Sequence, residues 1–113
     1  MSQTLQTSST DAVSAADPGL DLEMAERLAE IFAALGDPSR LRIISALAHR
    51  ERSVGDLSRL VGMTESATSH QLRLLRTQRI VRARKVGRQV FYFLDDDHIH
   101  DLLDRGIAHV QHK

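Results

Sequence analysis

The chain has 113 residues, 42% of them hydrophobic, with no formal net charge at neutral pH and no cysteine. A chain this short forms one small domain with a modest core, and without cysteine it can hold neither a disulfide framework nor a thiolate metal site, so any metal must be bound by nitrogen and oxygen. No apolar run approaches the roughly 20 residues of a membrane span, and the opening MSQTLQTSSTDAVSAADPG lacks the basic and apolar regions of a signal peptide, so a cytoplasmic location is expected.

Residues 1–20 are rich in Ser, Thr, Gln, Ala and Asp without apolar periodicity and read as a disordered or flexible arm. From there to the end, residues 21–113 read as one domain. Leu22, Ala25, Leu28, Ala29, Phe32 and Leu35 recur at helical spacing and stop at Gly36, which predicts a first amphipathic helix. Asp37 followed by Pro38 opens a second helix with Leu41, Ile43, Ile44 and Leu47 apolar. In SVGDLSRLVG, Ser53 is the expected N-cap, Asp56 its capping-box partner and Gly62 the stop of a helix of about two turns. Thr64 then caps a fourth helix running to about Gln78, with Leu72, Leu74 and Leu75 on its packing face. A short helix, a tight turn and a longer helix outline a helix-turn-helix. IVRARKVGRQVFYFL shifts to strand periodicity around Val86-Gly87-Arg88 and predicts a β-hairpin, the wing. Asp95 or Asp96 caps a last helix whose Ile99, Leu103, Ile107 and Val110 form one stripe. The expected fold is mainly α with a β-hairpin, a winged helix-turn-helix in the order α-α-α-α-β-β-α. First and last helices carry more apolar stripe than so small a core absorbs, which predicts a homodimer through them.

Zero net charge hides a segregation. Residues 1–37 hold seven acids and one base, whereas Ser66 to Leu94 holds seven bases and no acid, the footprint of a surface that meets phosphates. Near the start of the fourth helix, Ser66, Thr68, Ser69, His70 and Gln71 are small or polar side chains suited to bonding phosphates or base edges, and Gln71 can pair bidentately with adenine. Arg73 and Arg76 can neutralise phosphates, and Arg84, Lys85 and Arg88 on the wing can embrace the backbone or a minor groove. Helix-turn-helix and basic hairpin in series point to double-stranded operator DNA as a partner.

The segments DPSRLRIISAL, SVGDLSRLVGMTESATSHQLRLLR and GRQVFYFL, with a closing D-x-H and H-x-x-H, resemble the ArsR/SmtB family of dimeric metal-sensing repressors over about Leu22 to His112. Thr68 stands where members of that family often have Val, and Ser53 where many have the cysteine of a thiolate site on the third helix. What the resemblance leaves is the C-terminal-helix site of the zinc-sensing branch: Asp96, His98, His109 and His112. It also implies that the metal-free dimer represses, that metal releases it from DNA, and that the regulated genes serve metal efflux or sequestration.

Geometry bears on that quartet independently. His98 and His109 are eleven residues apart, about three turns, so they share a face, with His112 three residues further along it. Along one helix they are roughly 16 Å apart, too far for one ion. Two copies of the helix packed antiparallel across a twofold axis would bring Asp96 and His98 of one chain to His109 and His112 of the other, giving two equivalent tetrahedral sites. Two or three imidazoles and a carboxylate suit Zn²⁺, with Co²⁺ as a substitute; extra ligands such as His100 would suit a six-coordinate nickel or cobalt sensor, but the first twenty residues hold no histidine. His100 points away from His98 and is left outside the quartet, and His49 is read as a polar helix residue. Two other readings remain: a same-fold repressor answering nickel, cobalt or a non-metal signal, and a zinc hydrolase, which would need an open coordination position in a pocket.

Overall fold

A computed structural model describes residues 19–112. The arm expected over residues 1–20 lies, apart from Gly19 and Leu20, outside the described residues. Five helices and three short strands follow in the order α1 Leu22–Leu35, α2 Pro38–Leu47, β1 Arg52–Ser53, α3 Val54–Val61, α4 Glu65–Thr77, β2 Val81–Val86, β3 Gln89–Leu94 and α5 Asp97–Gln111.

Local chemistry sets most of these boundaries. Asp21, Asp37, Ser53, Thr64 and Asp96 stand at the five N-caps in extended conformations. Each accepts a hydrogen bond from a backbone N–H in the first turn, as at Thr64, whose Oγ1 takes the Ala67 N–H at 3.0 Å. Asp56 turns its carboxylate toward Arg59, 2.6 Å away, while its N–H reaches Ser53 Oγ at 3.2 Å. Gly62 closes α3 in the left-handed region at φ 69°. Gly36 stops α1 differently: its φ is −82°, and a Cβ there would lie 3.2 Å from the Phe32 carbonyl.

The end of α4 repeats the left-handed stop with a residue less suited to it. Arg79 has φ 58°, its N–H bonds the Arg76 carbonyl at 2.9 Å, and the Ile80 N–H bonds that of Leu75 at 2.9 Å. That pair of bonds is the Schellman pattern, with Ile80 and Leu75 both carried into the core.

The hairpin turns at Gly87-Arg88, flanked by the Val86–Gln89 pair. Gly87, at φ 61°, takes the first central position of a two-residue turn that needs a left-handed residue. The sheet is larger than the expected hairpin. Arg52 and Ser53 form β1, which pairs antiparallel with β3 opposite Tyr92 and Phe91, so the strand order is β1-β3-β2.

The core is built by Ile43, Ile44 and Leu47 of α2, Leu57 and Val61 of α3, Leu72 and Leu75 of α4, and Ile80 and Val81. These come from α2, from the helix-turn-helix formed by α3 and α4, and from the chain leaving it. Neither α1 nor α5 contributes a buried residue; Ile31 and Leu35 of α1 and Ile99 and Leu103 of α5 only lie against the core's edge.

Candidate nucleic-acid interface and metal centre

Core packing orients α4. With Thr68, Leu72 and Leu75 inward, positions offset by four, three and four residues present Ser66, His70, Arg73 and Thr77 as one exposed stripe. Arg76 is also exposed, and Ser69 and Gln71 are half-buried at the stripe's edges. Two expectations need correction. Leu74 is 41% exposed, because two residues from Leu72 lies on nearly the opposite side of a helix. Thr68 is fully buried and cannot reach DNA. Its Oγ1 lies 3.1 Å from Ser58 Oγ, and each hydroxyl also reaches a helical carbonyl, Thr64 at 2.8 Å and Val54 at 2.7 Å. Thr68 joins α3 to α4, which is why a polar group survives there.

On the wing, Arg84, Lys85 and Arg88 are exposed, with Arg88 in the turn itself. Arg84 is engaged within the fold, its Nε 2.7 Å from Glu51 Oε1. Arg82 leans over the Phe93 ring at 5.8 Å.

The tail divides its donors between the two ends of α5. At the N-cap, Asp96 Oδ1 accepts the His98 N–H at 2.9 Å, and Asp96 Oδ2 lies 3.2 Å from His98 Nδ1. Desolvation works to raise the Asp96 carboxyl, but the hydrogen bonds and charge of His98 outweigh it and hold the group below the usual carboxylate range. It therefore stays anionic wherever an imidazole is neutral enough to bind metal. His109 and His112 are exposed at the other end, joined only by the His112 N–H bond to the His109 carbonyl at 3.2 Å. Three turns of helix separate the pairs, so one chain does not close a site; among the described residues no three His, Cys, Asp or Glu side chains gather to hold an ion. Asp96 and His98 nevertheless fit as half of one. Two ligands about 2.1 Å from a tetrahedral ion lie about 3.4 Å apart, close to the 3.2 Å observed here. His100 faces elsewhere: its Nε2 is 3.4 Å from Asp104 Oδ2, and its ring meets that of His49 edge-on at 5.8 Å.

Between α1, α2 and α5 runs an apolar groove of about 480 Å³, lined by residues that include Phe32, Leu41, Leu102, Ile107 and Val110. Phe32 is 50% exposed, Ile107 41% and Val110 81%, so the faces of both terminal helices stand uncovered in a single chain. No described helix is long and apolar enough to cross a membrane.

Two features escaped the sequence reading. One is β1. The other is Arg40, whose Nη1 donates to Gln71 Oε1 at 3.0 Å, reaching from the first turn of α2 to α4.

Comparison with known proteins gives this arrangement relatives. The family model described as "Bacterial regulatory protein, arsR family" matches residues 37–83. The chain is 50% identical over 92 residues to a transcriptional repressor SmtB homolog of Synechocystis, covering 81% of this chain and 70% of that protein. It is 42% identical over 93 residues to the HTH-type transcriptional regulator NmtR of Mycobacterium tuberculosis, covering 82% and 78%. The solution structure of apo-NmtR superposes with a TM-score of 0.72 at 36% identity, covering 95% of this chain and 90% of that one. A cadmium resistance transcriptional regulatory protein CadC homolog of Staphylococcus aureus is 33% identical, covering 88% and 83%.

Proposed function

Because the chain belongs to the ArsR/SmtB family of bacterial transcriptional regulators, whose members here are DNA-binding regulators and not enzymes, we propose that it is a cytoplasmic, homodimeric repressor that binds operator DNA in its metal-free form and is released by zinc. The observation that carries the reading is the division of donors on α5. Asp96 and His98 stand 3.2 Å apart at one end, His109 and His112 occupy the other, and the apolar face between them is uncovered.

Burying the faces of α1 and α5 against a second copy would contribute about 25 cal/mol for each Å² of apolar surface removed from water, the main stabilisation available to the dimer. Antiparallel packing of the two α5 helices would bring Asp96 and His98 of each chain to His109 and His112 of its partner. Zn²⁺, when bound, would supply a cross-link between subunits at each of two such sites. On the DNA side, Ser66, Ser69, His70 and Gln71 would face the major groove, Arg73 and Arg76 the phosphates, and Arg84, Lys85 and Arg88 the flanking backbone. The two α4 helices must meet half-sites one helical turn apart, so a cross-link favouring another subunit orientation weakens DNA binding, and DNA weakens metal binding by the same factor. Genes for metal efflux or sequestration are the natural targets of such a switch.

The proposed ligands are nitrogen and oxygen only, a set that suits zinc and admits cobalt. Fluorescence anisotropy of a duplex carrying the operator, recorded as zinc is added to chelator-treated protein, tests the reading. DNA affinity should fall by about 5- to 150-fold. An affinity indifferent to zinc, cobalt and nickel would leave a repressor that answers another signal.

A further inference from the structure

Two arginines just beyond α4, Arg79 and Arg82, have no part in the reading above. With Arg76 they line a polar concavity of about 450 Å³ between the C-terminal end of α4 and the base of β2, with Asp95 beside them. All three arginines are exposed. Asp95 lies 3.7 Å from Arg82 Nε, whereas Arg76 and Arg79 form no ion pair among the described residues. Three cations against one carboxylate leave the concavity strongly positive. Its frame is tied together, because the Ile80 carbonyl accepts the Asp95 N–H at 3.0 Å and so joins the turn after α4 to the end of β3.

The backbone of Arg79 carries a second, independent sign. Among the described residues it alone combines a side chain with a positive φ, 58°. Glycine takes that conformation without the steric penalty that a Cβ imposes, and it is the usual residue at such a helix stop. Both hydrogen bonds of the stop are made by backbone atoms, so the turn itself has no need of an arginine. A residue poorly suited to its backbone points to a task for its side chain.

The place of the concavity says what that task is. Each major groove of B-form DNA is bounded by a phosphate backbone, with a minor groove on the far side. With α4 in the major groove and the wing beyond its edge, the bounding strand passes between helix and hairpin, where the concavity lies. Arg76 joins the two surfaces: it follows Arg73 of the exposed stripe by three residues and also lines the concavity.

We propose that this concavity is a phosphate-binding site that grips the strand bounding the major groove, with Arg79 and Arg82 as DNA-binding residues alongside Arg76. The ligand is a phosphodiester of duplex DNA, whose oxygens match the paired N–H donors of a guanidinium. Asp95 faces Arg82 Nε, which leaves the Nη donors of Arg82 for the phosphate. The inference rests on the proposed DNA-binding role of α4 and the wing.

The test uses the full-length chain, metal-free in chelator, and the anisotropy of a labelled operator duplex. Arg79→Gly and Arg82→Gln should each flatten the salt dependence by about one unit, and the double variant by about two. Arg79→Lys keeps the charge and should keep the slope. Thermal unfolding separates contact from architecture: Arg79→Gly should melt at or above the wild-type temperature, since glycine relieves the left-handed backbone, while its DNA affinity falls. Duplexes in which one phosphate at a time is replaced by an uncharged methylphosphonate then locate the contact. At a phosphate bounding the major groove, neutralisation should weaken the wild type and cause no further loss in the double variant. A wild-type salt slope in either single variant, or a scan in which wild type and double variant lose affinity at the same phosphates, would overturn the inference and leave the DNA-binding reading standing. If metal-free wild-type protein bound no duplex at all, the proposed function would fall and this inference with it.

Discussion

Replacing Phe32 by Glu attacks the uncovered face of α1 without entering the core. Phe32 is 50% exposed in the single chain and lies outside the buried cluster. Full burial of a Phe side chain is worth about 1.5–3 kcal/mol, so covering the remaining half contributes about 1 kcal/mol per subunit. Twofold symmetry doubles this to about 2 kcal/mol per dimer. At 1.4 kcal/mol per decade, removing that burial alone raises the dimer dissociation constant more than tenfold, and a carboxylate forced into an apolar seam raises it further. The half already covered within the chain adds a cost to monomer stability of about 1 kcal/mol, so the helical circular dichroism at room temperature should survive. Sedimentation equilibrium of the chelator-treated variant should then show monomer at concentrations where the wild type is dimeric. A folded Phe32→Glu protein with an unchanged dimer constant would refute the assignment of α1 and α5 to the subunit interface.

Three further outcomes are expected from the DNA-binding side. Changing Lys85 and Arg88 together to Ala should weaken binding to all duplexes alike and flatten the salt dependence by roughly two units, one for each phosphate that is no longer neutralised. Arg84→Ala should do less, since its guanidinium already serves Glu51; salt titrations of duplex anisotropy measure both. Thr68→Val should leave DNA affinity unchanged and shift the denaturation midpoint by less than about 1 kcal/mol, because Ser58 keeps its bond to the Val54 carbonyl. A large drop in DNA affinity in that variant would return Thr68 to the interface.

What the sequence made legible was local. Asp37, Ser53 and Thr64 announced helix starts because capping involves residues three apart, and Gly87 announced the hairpin because its turn needs a left-handed residue. Strand β1 was not legible: two residues carry no period, and their partners Tyr92 and Phe91 stand about forty positions away. Thr68 looked like a groove-facing hydroxyl because its partner Ser58 belongs to another helix, and Leu74 looked like core by its residue type, although three leucines within four positions cannot all face one way. Arg40 and Gln71 are separated by 31 residues, so their bond exists only once the helices are packed. The tail was legible in both respects. Its residue types suggested a metal, and the separation of the proposed ligands, which lie along a 15-residue helix, means that a site built from them would require a second chain.

That requirement is the central claim, and a mixed dimer tests it most directly. One chain carries Asp96→Ala and His98→Ala, the other His109→Ala and His112→Ala, and the doubly tagged heterodimer is isolated after co-expression. Sites shared between subunits predict that one site combines both damaged halves while the other combines the intact Asp96 and His98 with the intact His109 and His112. Titration with Co²⁺ should then show about one tight tetrahedral ion per mixed dimer by its ligand-field absorption, and none in either homodimer. A mixed dimer with no tetrahedral cobalt signal, or a homodimer of either variant that binds as the wild type does, would contradict the shared site.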